Sequence, residues 1–235
     1  MKKNNFLITK KEKEVVISIL KKVSKKNIIS LNLINFTFLS KILNKEEKNF
    51  LKKIRQINPR QYGFKGKYLG IQRIPKNLTI IKNQKYKYNG KQKNINKKYI
   101  PNEVFLFYKK MNKSMYKDIN KKLLVSGCYR SPACQLFLFL YYLNKNNFNF
   151  KKTMKRVAFP GYSEHGYPTK QAIDFMTIDG VPDTDDKLKF EKTIEYKWLL
   201  KNASNFNFFL SYPKNNKLGI MFEPWHWHFN KNKIL

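Results

Sequence analysis

All three histidines of this 235-residue chain fall in two short segments, Ser163-Glu164-His165-Gly166 and Glu223-Pro224-Trp225-His226-Trp227-His228. Each imidazole stands beside carboxylates, aromatics or turn residues, so a fold that brings the two segments together builds one metal site. Neutral imidazole is the commonest metal ligand, and two or three of them with a carboxylate meet the requirements of zinc.

A third segment supplies the carboxylate. In Gln171-Ala172-Ile173-Asp174-Phe175, strand alternation puts Ala172 and Asp174 on one face, with Ile173 and Phe175 on the other, towards the core. A charge among apolar neighbours is costly without a cation or a hydrogen-bonded partner. His226 and His228 share one face of a regular strand, and Trp225 and Trp227 take the other. Glu223 would face away from the histidines in an unbroken strand. Pro224 cannot donate to a ladder, so regular pairing starts after it and Glu223 is free to turn towards the metal side.

Zinc-dependent hydrolysis needs about three protein ligands, a position left for water, a carboxylate base, and a positive group near the developing oxyanion. His165, Asp174 and one of His226 or His228 supply the ligands. Glu223 supplies the base. Arg130, where a strand gives way to a helix, supplies the positive group.

Around these motifs the pattern is α+β: a small antiparallel sheet with flanking helices carrying the zinc site, preceded by a helical N-terminal extension. Residues 1–60 show helical spacing over 12–25 and 39–57 and form the extension; residues 61–235 form the domain that carries the metal motifs, with the motif core at 100–230. Residues 59–101 are glycine-punctuated and basic, which predicts turns and short strands, with 91–98 as an exposed loop. A helix is expected over 103–122, and a buried strand over 123–127. Ser131-Pro132 starts the next helix with a serine cap and proline at the first helical position. A strand is expected over 171–177, a helix over 185–202, and a hairpin from strands 206–212 and 218–222 joined at Asn215-Asn216.

The net charge of +34 comes almost wholly from lysine. A polyanionic partner held by weak, non-specific attraction competes with a bland reading, lysine on any exposed position through AT-rich codon usage. Cys128 and Cys134 are expected as thiols packed in the core, since no other cysteine exists to build a disulfide framework. The apolar stretch at 6–9 stops at Lys10, too short for a secretory leader, and the apolar runs at 15–20 and 136–143 are too short to span a bilayer. The residues thus read as having no export signal and no membrane anchor.

Taken in order, several motifs resemble the VanY-type D-alanyl-D-alanine carboxypeptidases. They are Ser126-Gly127-Cys128-Tyr129-Arg130-Ser131 with Gln135, Pro160-Gly161-Tyr162-Ser163-Glu164-His165, Ala172-Ile173-Asp174, Trp198-Leu199 with Asn202-Ala203, and Glu223-Pro224-Trp225-His226-Trp227. The resemblance implies a zinc peptidase that trims peptidoglycan stem peptides or muropeptides, related to D,D-dipeptidases and L,D-carboxypeptidases. It makes His165, Asp174 and His226 the ligands of Zn2+ and Glu223 the general base. Arg130 would meet the substrate carboxylate or the oxyanion, with Ser131, Gln135 and Ser163 lining the pocket. His228 falls outside the ligand set, as a supporting or substrate-facing residue.

Three departures accompany the resemblance. The segment from His165 to Asp174 is two residues longer than the family's spacing, Cys128 is an added or substituted residue, and Asn207 stands where relatives often carry glycine before Phe208. Asparagine tolerates the left-handed conformation that such a bend requires. The family's substrate lies in or outside the envelope, and action on recycled wall fragments in the cytoplasm is the alternative. L,D-carboxypeptidase or endopeptidase chemistry, and a non-catalytic basic protein binding polyanions or cell wall on this fold, are the competing functions.

Overall fold

A computed structural model describes residues 7–26, 30–181 and 187–231. In chain order come helices α1 (Lys10–Lys25), α2 (Phe36–Ile42) and α3 (Lys45–Arg55), then strands β1 (Leu78–Ile81), β2 (Lys85–Tyr88), β3 (Lys91–Asn94) and β4 (Lys98–Pro101). Helix α4 (Asn102–Ile119), strand β5 (Leu123–Gly127) and helices α5 (Pro132–Lys145) and α6 (Phe150–Met154) follow. Strand β6 (Ala172–Thr177), helix α7 (Ile194–Asn202) and strands β7 (Phe208–Leu210) and β8 (His226–Phe229) complete the order. The fold is α+β. The chain divides into two compact units, Met1–Arg73 with Arg130–Ser163 and Asn216–Met221, and Ile74–Tyr129 with Glu164–Asn215 and Phe222–Leu235.

The first unit is helical. Thr9 and Glu12 close a capping box at the start of α1, whose buried face carries Val15, Val16, Ile19 and Val23. The stretch read as helical over 39–57 is two helices, because Asn44 accepts from the Glu47 N–H and starts α3 afresh. Ser131 caps α5 as expected, accepting from the Cys134 N–H at 3.1 Å with Pro132 just inside. Cys134, in this unit, and Cys128, in the other, are both buried free thiols.

Glu47 ties α1 to α3 through a carboxylate that is 2% exposed. It accepts from Ser18 at 2.7 Å, from Lys22 at 2.8 Å and from the Asn44 N–H at 2.8 Å. Burial alone would raise its pKa; the hydrogen bonds from Lys22, Asn44 and Ser18 outweigh burial and hold it below the ordinary 4.5. A carboxylate depressed in the folded state adds stability above its unfolded pKa and loses it as pH falls through the folded one. Glu47→Gln should therefore cost about 1–2 kcal/mol in urea unfolding at neutral pH. The gap from wild type should close as the pH is taken below the ordinary carboxylate range.

The second unit holds a four-stranded antiparallel sheet in the order β5-β6-β8-β7. One face packs a core containing Met111 and Met115 of α4, Ile173 and Phe175 of β6, Trp198 and Leu199 of α7, and Trp227 and Phe229 of β8. Gln84 covers the open edge of β5. Its amide accepts from the Val125 N–H at 2.8 Å and donates to the Val125 carbonyl at 3.0 Å, standing in for a neighbouring strand.

Four local expectations are corrected. The run at 91–98 is exposed, but half of it is β3, paired with β2 across Asn89-Gly90, both at positive φ. The 206–212/218–222 hairpin does not form: β7 pairs with β8 instead, while the Leu218 carbonyl and Met221 N–H bond to Lys65 and Lys155. The expected helix over 103–122 ends at Ile119, where Asn120 takes the left-handed conformation. The helix expected over 185–202 is a 3-10 segment, Lys187–Lys192, followed by α7, because the Thr193 hydroxyl accepts from the Tyr196 N–H and starts a new helix. Residues 185 and 186 lie outside the described residues. Asn207 has φ 62°, the left-handed bend expected of it.

Candidate metal centre

Strand register assembles the site in the second unit. Asp174 of β6 lies directly opposite His226 of β8, and Ala172 opposite His228. A bulge in β5 aligns Val125 with Phe175 but Gly127 with Asp174, leaving Ser126 as the extra residue. The Ser126 hydroxyl donates to the Asp174 carbonyl at 3.0 Å. Gly127 has to be glycine there, because a Cβ on it would run into the Asp174 carboxylate. His165 reaches the same point from the 3-10 turn Glu164–Gly166.

The donor atoms converge. One oxygen of Asp174 lies 3.2 Å from His165 Nε2 and the other 2.8 Å from His226 Nδ1. One ligand atom from each of the three residues falls within a 4.8 Å span. His165 Nδ1 is held by the Cys128 carbonyl at 2.8 Å, which fixes its hydrogen there and leaves the Nε2 lone pair towards Asp174. The His165 side chain is 2% exposed and that of Asp174 20%, so the cluster is buried on the protein side yet reachable from solvent.

Glu223 stands beside the cluster. The His226 N–H donates to the Glu223 carbonyl at 3.0 Å, closing a turn through Pro224-Trp225, and the Trp227 indole donates to the Pro224 carbonyl at 2.8 Å. That turn places the Glu223 carboxylate 3.8 Å from His226 Nδ1, outside the tight donor group. His226 and His228 share a face, as their spacing predicts, with Trp227 in the core behind them.

Electrostatics agree with a cation-binding cluster. Burial would raise the pKa of Asp174, but His165 and then His226 hold it well below the usual carboxylate range. Burial would lower the pKa of His226, but hydrogen bonds to Asp174 and Glu164 push it up to about 10. Such a group of buried carboxylates and imidazoles is balanced by protons on the rings or by a metal cation in their place. Two imidazoles and a carboxylate, each with one ligand atom in the same small space, suit zinc with a further position for water.

The remaining expected site residues lie in the first unit. Ser131 spends its hydroxyl on capping α5 and donating to the Ile34 carbonyl. Gln135 donates to the Ala158 carbonyl at 2.7 Å. Ser163 is buried. Arg130 is half-buried, and its Nε has no hydrogen-bond partner. Three residues carry contacts at the cluster that the motifs did not assign: Glu164 and Lys170, an ion pair at 2.8 Å across the lengthened loop, and Ser211. The only sequence signal for Glu164 is its adjacency to His165.

An antiparallel sheet thus sets a His–Asp–His donor group beside a spare carboxylate, an arrangement able to hold a metal ion. The chain belongs to the VanY family of D-alanyl-D-alanine carboxypeptidases, whose sequence pattern matches residues 97–232. YodJ of Bacillus subtilis (strain 168), assigned as a carboxypeptidase, is 28% identical over 172 residues, 65% of this chain and 59% of YodJ. The chain thus spans about three fifths of the length of that curated relative. The structure of the LdcB LD-carboxypeptidase, reported for its peptidoglycan recognition, is 25% identical with a TM-score of 0.57, covering 75% of this chain and 79% of LdcB.

Proposed function

We propose that the chain is a zinc carboxypeptidase that removes the terminal D-amino acid from peptidoglycan stem peptides. The carrying observation is the convergence of His165 Nε2, Asp174 and His226 Nδ1, with the Glu223 carboxylate beside them. Zinc held there supplies Lewis acidity, polarising a carbonyl and acidifying water.

The residues divide the remaining work. Glu223, 8% exposed and fixed by its turn, takes a proton from the attacking water and hands it to the leaving amine. The Cys128 carbonyl keeps the His165 ring oriented through the reaction. Arg130 is the cation that the resemblance assigns to the substrate carboxylate or oxyanion.

Likeness to LdcB favours a second reading on the same residues, L,D-specificity. Incubation with defined pentapeptide and tetrapeptide stems, with products weighed, separates the two. Loss of D-alanine from the pentapeptide alone supports D,D-cleavage. Loss from the tetrapeptide moves the reading to L,D-cleavage, and cleavage of neither sinks both.

A further inference from the structure

The side of His226 turned away from Asp174 carries a second polar cluster that the proposed reaction leaves unused. Glu164 Oε2 lies 3.1 Å from His226 Nε2 and accepts the Ser211 hydroxyl at 2.5 Å. Glu164 Oε1 pairs with Lys170 at 2.8 Å and lies 3.8 Å from His228 Nδ1. Ser211 Oγ is also 2.8 Å from His228 Nδ1. Glu164, His226 and His228 are all buried.

Hydrogen counting orders this cluster. A hydroxyl has one hydrogen, and an ionised carboxylate only accepts. Glu164 pairs with Lys170 at 2.8 Å and accepts the Ser211 hydroxyl, the contacts of an ionised carboxylate. Ser211 gives its hydrogen to Glu164, so His228 Nδ1 is the donor to Ser211. By the same rule His226 Nε2 carries a hydrogen towards Glu164. In a metal-loaded ring the lone pair is then on Nδ1, the nitrogen that faces Asp174 and Glu223.

We propose that Glu164 is a positioning residue of the metal centre, fixing His226 with hydrogen on Nε2 and Nδ1 presented to the metal, while Ser211 and His228 hold the carboxylate in place. The inference rests on the zinc reading above. It makes the two ligand rings opposites: a carbonyl ties Nδ1 of His165 and frees Nε2, whereas a carboxylate ties Nε2 of His226 and frees Nδ1. A carboxylate behind a ligand histidine orients the ring and raises its basicity, and removing one costs about 10–100-fold in metal affinity. A mere anchor for the lengthened loop would need only the Lys170 pair, which is partly exposed and worth little.

The test is zinc affinity of the full chain by competition with a chromophoric chelator, joined to long-range proton–nitrogen spectra of the zinc-loaded protein. Glu164→Ala should weaken zinc by about 10–100-fold and lose the Nε2–H signal of His226. Glu164→Gln, whose carbonyl oxygen still accepts from that hydrogen, should recover most of the affinity and the signal. Ser211→Ala should weaken zinc by a few-fold, and decides the matter should Glu164→Ala fail to fold. Unchanged affinity in Glu164→Ala or, where that variant is lost, in Ser211→Ala overturns the inference, as does hydrogen on His226 Nδ1 in wild type. Wild type that binds no zinc removes the functional reading itself, a different outcome from wild type that binds and variants that bind equally.

Discussion

Glu223→Gln is expected to keep zinc and to lose turnover by roughly 10²–10⁴-fold, the usual contribution of a positioned general base. Glutamine keeps the size and one acceptor oxygen of the buried side chain, so the turn to His226 and the fold survive. What it lacks is a group that takes a proton from water at neutral pH. Because the carboxylate lies outside the tight donor group, metal content should not change, and the loss should fall on kcat more than on KM. Full activity in this variant removes Glu223 from the reaction.

His226→Ala and His228→Ala should part sharply, although the two residues share a strand face. Removing His226 leaves two donors and an ionised Asp174 without its nearest ring, so the purified variant should hold little or no metal. His228 is bonded to Ser211 and only approaches Glu164, so its loss should leave near-stoichiometric zinc at saturation, with affinity lowered a few-fold at most. Metal content of both variants by elemental analysis checks the pair. The reverse pattern would assign the second imidazole ligand to His228.

The separation of these two histidines marks how far sequence reasoning reaches. Alternation alone put His226 and His228 on one face and treated them as equals. Only the register of β6 against β8, Asp174 facing His226 and Ala172 facing His228, distinguishes them in space. Asp174 and Glu223 were legible because each breaks a local rule, a charge in an apolar strand and a carboxylate before a proline that interrupts pairing. Glu164 was not, because its direction depends on the 3-10 turn that carries His165. Ser211 becomes a neighbour only when β7 pairs with β8, whereas the Asn215-Asn216 turn signal points to a local hairpin instead. Gly127 had a signal in its motif but no reason until the bulge set it against Asp174.

The most direct test of the central claim is cleavage of defined stem peptides by the purified chain before chelation, after chelation, and after zinc is restored, with metal content measured at each stage. Near-stoichiometric zinc, release of a terminal D-amino acid, loss of both on chelation, and recovery of both on adding zinc are expected. Cleavage that persists in metal-free protein, or a zinc-loaded protein that leaves every stem peptide intact, would contradict that claim.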